Sequence, residues 1–478
     1  MPNAKLRREI ARALGDRRRG NSTYTWGRSR GRLSYESYNY GTRFYTTHST
    51  PSGTPQNLPL AGIRVLEVGQ VIAGPFCGQL LGHYGAEVIK VEPPNVGDPL
   101  RVWRERDIDG VSPWWRSIAR NKKSVTIDMR KEEGRSLVKQ LAVKSDVIVE
   151  NFKPGTLERW NLGPSDIHPL NPSLIFTRVS GYGQTGPWSS RPGYASVCEA
   201  ESGFRYINGT PDPDTGALLG PPIRPNLSLG DSVAGLHAAF GTVLALLARK
   251  NREAQGQPGG QTVDVSIFES MVNLMEGIIP EYDRKGKIRG PSGSSLTGIV
   301  PTNAYPCKPA PEAPTVPSYL VIGANSDSIY NRLMTAIGRP DLIGAEYAQN
   351  HHRVDRQAEI EGAIAGWTQE HTAEAAEEIL RAVSVPAGRV LNVKDIVENE
   401  HTQARGLVED VWVPKADSAA GGWSVKMSKA VPVLEGCDTK TRWAGPELGE
   451  HNREVLIGEL GLAEEEFERL QKEGIIGE

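Results

Sequence analysis

From Leu60 onward, short and almost unbroken apolar runs alternate with segments of helical spacing, and this alternation restricts the fold more than any other feature. Ile63–Val68 reads as a buried strand. A helix with a first-turn proline at Pro75 follows and runs through Cys77–Gly82, and Ala86–Glu92 is a second strand, completing a βαβ unit. A strand at Ser124–Asp128, a helix at Lys131–Lys144, a strand at Asp146–Glu150 and another at Leu174–Ser180 extend the series. Strands this apolar belong to a parallel sheet covered on both faces, so the fold class is a doubly wound α/β layer. A Gly-, Pro- and Asp-rich loop spans 205–225, and a long apolar helix starts after Gly230. Beyond the polar stretch Lys285–Gly298, a strand at Ser318–Gly323 and helices at Asp327–Ala336 and Gln357–Val383 read as a smaller α+β domain. Strands between Gly406 and Val433 and an acidic helix at Leu462–Glu473 close the chain, with no internal repeat.

Composition enters mainly to exclude. With 478 residues, 23% charged, 52 Gly and 34 Pro, the chain is neither coiled coil, collagen nor wholly disordered, and it has room for two or three domains. Net charge is −2, but residues 1–58 hold eleven Lys+Arg against three Asp+Glu, which leaves a mildly acidic body. Such a body lacks the basic stripe of a nucleic-acid binder. No run reaches the roughly 18 apolar residues of a membrane span, and Ser232–Ala248, apolar almost all round, is expected to be a buried helix rather than a membrane segment. Cys77, Cys198, Cys307 and Cys437 form no CxxC pair, and the histidines form no HExxH, so neither a disulfide framework nor a metal site is expected. In the leader, Leu6, Ile10 and Leu14 recur at helical spacing among six arginines, ahead of a Ser/Thr/Tyr-rich tract. That pattern matches a mitochondrial transit peptide, with a solvated basic tail as the alternative.

Two glycine motifs resemble nucleotide sites and fail on context. Gly181-Tyr-Gly183-Gln-Thr-Gly186 is a GxGxxG after a strand, but Pro187, Arg191 and Pro192 follow where a helix must begin to hold a pyrophosphate. Gly69–Gly74 has P-loop spacing, with Pro75 where the phosphate-binding Lys belongs. In Leu229-Gly-Asp231 and the helix beyond it, Asp231 admits two readings: an N-cap, or an ionised carboxylate at a cleft mouth able to attack an acyl group.

Several pieces in order carry a resemblance: Pro59–Glu67, Ala73-Gly-Pro75, Gly85–Glu92, Arg120–Met129, Val147–Gly155, Leu229-Gly-Asp231 and Gly449-Glu-His451. From Pro59 to about residue 475 the chain resembles the class III CoA-transferases, the family of formyl-CoA transferase and carnitine CoA-transferase. The resemblance implies a Rossmann-like large domain built from both chain ends (59–280 and 385–478), a small domain at 281–384, and an interlocked homodimer. It also implies Asp231 as nucleophile, taking the acyl group as a mixed anhydride and then CoA as a thioester, with CoA thioesters as substrates and no cofactor. Positions matching the family's CoA contacts are Ile72, Ala73, Arg130, Asn151, Phe152, Lys153 and Arg159. The cations among them have solvated surface charge as an alternative role. The glycine-rich loop is matched by Gly290–Gly298, with Gly293, Ser294 and Ser295 expected at the substrate.

Ile72 and Pro93 depart from formyl-CoA transferase, which has a polar amide and an Arg there. Ala195 stands where many transferases carry an acid. Tyr194 occupies the position of the racemase branch's His, which argues for transferase over racemase and puts Tyr194 among the substrate contacts. Pro221–Pro225 and Gly293–Pro301 are most similar to the mitochondrial succinate–hydroxymethylglutarate CoA-transferase branch. That similarity implies a succinyl-CoA donor and a dicarboxylate acceptor such as glutarate, hydroxymethylglutarate or itaconate. Arg224 then either receives the distal carboxylate or stabilises the fold. A 2-methylacyl-CoA racemase and a catalytically silent acyl-CoA binder remain the alternatives.

Overall fold

A computed structural model describes residues 57–311, 313–414 and 421–477. The expected leader therefore lies outside the described residues except for its last two. Of these, Leu58 is buried, close against Gly85.

Strands β1 (Arg64–Glu67), β2 (Glu87–Glu92), β3 (Lys122–Thr126), β4 (Val147–Glu150), β5 (Ile175–Ser180) and β6 (Gln261–Ser266) form one sheet in the order β3-β2-β1-β4-β5-β6. Every pairing is parallel, with Leu66 beside Ile89 and Ile148. β3 starts two residues before its expected place because Lys122, which looks like a loop residue, is neutralised inside the fold by Glu67. β6 escaped the sequence reading: its polar-apolar alternation, Gln-Thr-Val-Asp-Val-Ser, suits a partly exposed edge strand rather than a buried one.

Successive strand residues face opposite sides. Val65, Val88, Val147 and Val149 share a core with helices α1 (Ala73–His83) and α4 (Leu229–Glu253). Leu66, Ile89 and Ile148 face a second core with α2 (Glu132–Val143) and with Val455, Leu456, Phe467, Leu470 and Ile475 from the chain's far end. Each fully buried Val or Leu of these layers contributes about 1.5–3 kcal/mol. The short helix α3 (Ala195–Glu201) packs beside the start of α4.

The long helix α4 corrects one expectation. It buries Ala234, Gly235, Ala238, Ala239, Thr242 and Ala245 but exposes Leu236, Phe240, Val243, Leu244 and Leu247. Small side chains let the sheet and α1 approach closely, so the bulky residues are left on the outer face. The helix is also long and apolar enough to cross a bilayer by length and composition, contrary to the expectation that no segment is.

A separate core runs from Val300 to Val385. There β7 (Thr302–Cys307), β8 (Ser318–Gly323) and β9 (Ala387–Arg389) form an antiparallel sheet with β8 central. The longer helices are α5 (Asp327–Ala336), α6 (Gln357–Gln369) and α7 (Ala373–Ala382). Because β9 pairs with β8, this block continues past the expected limit of 384. The single helix expected over 357–383 breaks before Ala373, where the Thr372 hydroxyl accepts the Ala375 N–H and starts a new helix. An antiparallel hairpin, β10 (Val408–Pro414) and β11 (Gly422–Ser428), precedes the closing helix α8 (Glu464–Lys472).

Candidate active site

The strand order reverses between β1 and β4, and in open parallel sheets ligands bind outside the carboxyl ends of the strands at such a switch point. The loop leaving β1 is fixed from below by buried charge. Lys90 Nζ donates to Glu67 at 3.0 Å, to the Gly69 carbonyl at 2.8 Å and to Asp98 at 2.9 Å, while Lys122 donates to Glu67 at 2.7 Å. Burial alone would push the Glu67 carboxyl up, but Lys122 and Lys90 outweigh it and hold it below its ordinary value. Asp98 in turn accepts the N–H of Val71 at 3.1 Å. Val71 has φ of +67°, a left-handed backbone that a β-branched residue rarely adopts, so the network holds a strained loop in shape.

That loop carries Ile72 and Ala73, both buried. Asn151, at the end of β4, spends its side chain on the loop: Oδ1 accepts from Gln70 N and Nδ2 donates to Gln70 O, both at 2.8 Å. It is a staple between the two switch-point loops. Phe152 stands edge-on to Trp160 at 5.5 Å. Lys153 and Arg159 are exposed, as is Arg130, whose guanidinium makes a fork with Asp128 at 2.8 and 2.9 Å. Glu150, Arg178 and Glu158 brace the loop after β4 from inside, with Arg178 bonded to Glu150 at 2.7 Å and to Glu158 at 2.6 Å.

Helix α4 meets the β1 loop directly. A Cβ at Gly235 would lie 2.7 Å from the Ala73 carbonyl oxygen, and Asp231 stands one turn earlier on the same helix. Asp231 is not the N-cap: Ser228 holds that position and Asp231 is the third helical residue. Its carboxylate makes no hydrogen bond among the described residues. The carboxylate that serves the helix start is Glu199 of α3, wholly buried, which accepts the Gly230 N–H at 3.1 Å. Glu199 also takes Arg205 at 2.9 Å and lies 3.7 Å from Arg224. Burial, and next the Glu199 carboxylate, push the Asp231 carboxyl up to about 6, against a downward pull from Arg224. A half-buried carboxylate of raised basicity, without a hydrogen-bond partner, is free to attack a carbonyl.

Sequence reasoning missed Glu199 and Arg205. The available signal was helical spacing: Glu199 is four residues after the atypical Ala195 and therefore on the same face of α3. Ala195 itself packs at Gly230, where a Cβ would lie 3.3 Å away. Tyr194 precedes α3 and is 80% exposed. The hydrogen bonds of Gly293–Ser295 run to Gly209, to Asn303 and within the loop, not to the Asp231 helix.

A parallel sheet with one face covered by the chain's far end, and a half-buried, unbonded carboxylate one helical turn from its switch-point loop, has the frame of an α/β enzyme. The sequence profile of CoA-transferase family III matches residues 60–452, and the chain belongs to that family as a CoA-transferase. It is 44% identical over 419 residues to succinyl-CoA–D-citramalate CoA-transferase of Chloroflexus aurantiacus, covering 87% of this chain and 98% of that one. Mouse succinyl-CoA:glutarate CoA-transferase is 31% identical, covering 89% of this chain and 93% of its own. A CAIB/BAIF family protein from Brucella suis has a similar structure, with TM-score 0.69, 28% identity, and coverage of 84% of this chain and 100% of that one.

Proposed function

We propose that the protein moves CoA from succinyl-CoA to a dicarboxylic acid, with Asp231 as the covalent relay. The observation that carries this reading is the unbonded Asp231 carboxylate, pushed up to about 6, one helical turn from the loop of Ile72 and Ala73. Above that value it is ionised and more nucleophilic than an ordinary aspartate. Its oxygen attacks the succinyl carbonyl and expels CoA thiolate, leaving a mixed anhydride. The thiolate then attacks the Asp231 carbonyl and releases succinate, leaving an aspartyl-CoA thioester. The acceptor carboxylate attacks that thioester, the thiolate leaves again, and its attack on the acceptor's carbonyl regenerates the Asp231 carboxylate. No step consumes a proton, water or a cofactor.

Relatives named for succinyl-CoA support the donor. Glutarate, hydroxymethylglutarate and itaconate are the acceptors to test, with Arg224 receiving the distal carboxylate. Tyr194 and the loop of Gly293, Ser294 and Ser295 are assigned to the substrate side. Exposed Lys153, Arg159 and Arg130 are assigned to CoA phosphates. A large domain from both chain ends with a small domain between them, whose end moves from 384 to Arg389 with the β8–β9 pairing, the mitochondrial matrix address and the interlocked homodimer belong to the same reading; the exposed apolar stripe of α4 supports the last of these. The experiment is intact-mass spectrometry of the leaderless protein with succinyl-CoA, followed by each acid. A CoA adduct on the peptide of Asp231 and a new acyl-CoA are expected. Neither, across succinyl-, glutaryl- and acetyl-CoA, would reject the transferase reading.

A further inference from the structure

The cluster around Asp231 has a charge count that changes during the proposed reaction, and the residue that sets it is Glu199. Two carboxylates, Glu199 and Asp231, face two guanidinium groups, Arg205 and Arg224. Glu199 is wholly buried and arrives from α3, whereas Asp231 stands on α4; the Gly230 N–H bonded to Glu199 locks the two helices together. Cys198 on α3 is a further titratable group near Asp231, and burial keeps its thiol up at about 11, uncharged; the Glu201 carboxylate on the same helix is taken by Arg191.

We propose that Glu199 is a positioning residue that serves as an electrostatic counterweight, so that the site admits the acid substrate's carboxylate mainly after Asp231 has become a thioester. The inference rests on the transferase reading above. In the resting site the four charges cancel, and an added carboxylate would meet two anions. Once Asp231 is a neutral thioester, one guanidinium charge is left over. Arg224, whose side chain is half exposed and only loosely held at 3.7 Å, is the one free to turn toward an incoming carboxylate. Arg205 stays bonded to Glu199. The first acid is released into this same thioester form, where the spare guanidinium holds one carboxylate at a time, so the acceptor exchanges with it on the form able to react with it.

The test is the pH dependence of CoA-adduct formation from succinyl-CoA in a single turnover, read by intact mass. For the unsubstituted chain the rate should fall as pH drops through about 6. Glu199→Gln should move that limb down by about one unit, and Glu199→Asp should largely restore it. Arg224→Gln, a change at a half-exposed side chain, should move the limb up. Opposed shifts do not arise from loosened packing. Free glutarate should also inhibit Glu199→Gln at about tenfold lower concentration than the unsubstituted chain, because removing one anion opens the resting site. Should Glu199→Gln fail to fold, Arg205→Gln, which leaves the Glu199 charge without its bonded partner, should move the limb up, and an unmoved limb overturns the role of Glu199. Glu199→Gln and Arg224→Gln limbs that coincide, or that move the same way, overturn the role of Glu199 while the adduct on the unsubstituted chain upholds the transferase. Absence of any adduct on the unsubstituted chain sinks both.

Discussion

On the proposed mechanism, Asp231 sits where catalysis and stability oppose each other. Its carboxyl titrates near 6 in the fold against 3.8 ordinarily, chiefly through burial and then through Glu199. A carboxyl with a raised value favours folding when protonated, so its contribution is full below 3.8 and is lost as pH rises through about 6. At pH 8 the ionised group costs about 1 kcal/mol after discounting for partial exposure. Asp231→Asn should therefore abolish the CoA adduct yet raise Tm by about 1–3 °C at pH 8, with no gain at pH 3.5. Calorimetry at the two pH values checks this, and an equal change at both would refute it. At this scale the sequence exposed Asp231 through the Gly-Asp pair at the head of an apolar helix. It did not expose Glu199, because a glutamate inside a short helix looks like surface until the fold buries it.

Among elements, the contact between α4 and the β1 loop brings the proposed nucleophile and the proposed CoA-binding loop together. It depends on Gly235, where a Cβ would stand 2.7 Å from the Ala73 oxygen and 3.1 Å from the Phe76 side chain. Gly235→Ala should cost about 1–3 kcal/mol by overpacking and should raise KM for the acyl-CoA more than it lowers kcat. Denaturant melts with steady-state kinetics measure both, and an unchanged KM would separate this contact from CoA binding. Strand identities were legible because apolar runs of the right length punctuated by helical spacing leave few alternatives. β6 and the true start of β3 were not, since one alternates like an edge and the other begins with lysines that only an interior partner makes tolerable. The β1 loop was legible as a glycine-bearing turn, but its shape depends on Asp98 and Lys90, brought in from other parts of the chain.

For the whole molecule, the outer face of α4 carries a prediction. Leu236, Phe240, Leu244 and Leu247 form an exposed apolar stripe, with Phe240 at 62% exposure. A stripe of this kind marks an interaction surface, and a second copy of the chain is the proposed occupant. If the proposed dimer uses this stripe, Phe240→Glu should sediment as monomer where the unsubstituted chain sediments as dimer; equal sedimentation of the two would remove the stripe from the interface. The sequence by itself determined the alternating strands and helices, the parallel sheet and the place of Asp231 at the head of a long apolar helix, because apolar periodicity and local motifs act over a few residues. Tertiary structure alone decided which face of α4 is covered, which carboxylate serves its first turn, and how basic Asp231 becomes. Burial and charge pairing depend on groups far apart in the chain, and their energies exist only once the fold has brought them within a few ångströms.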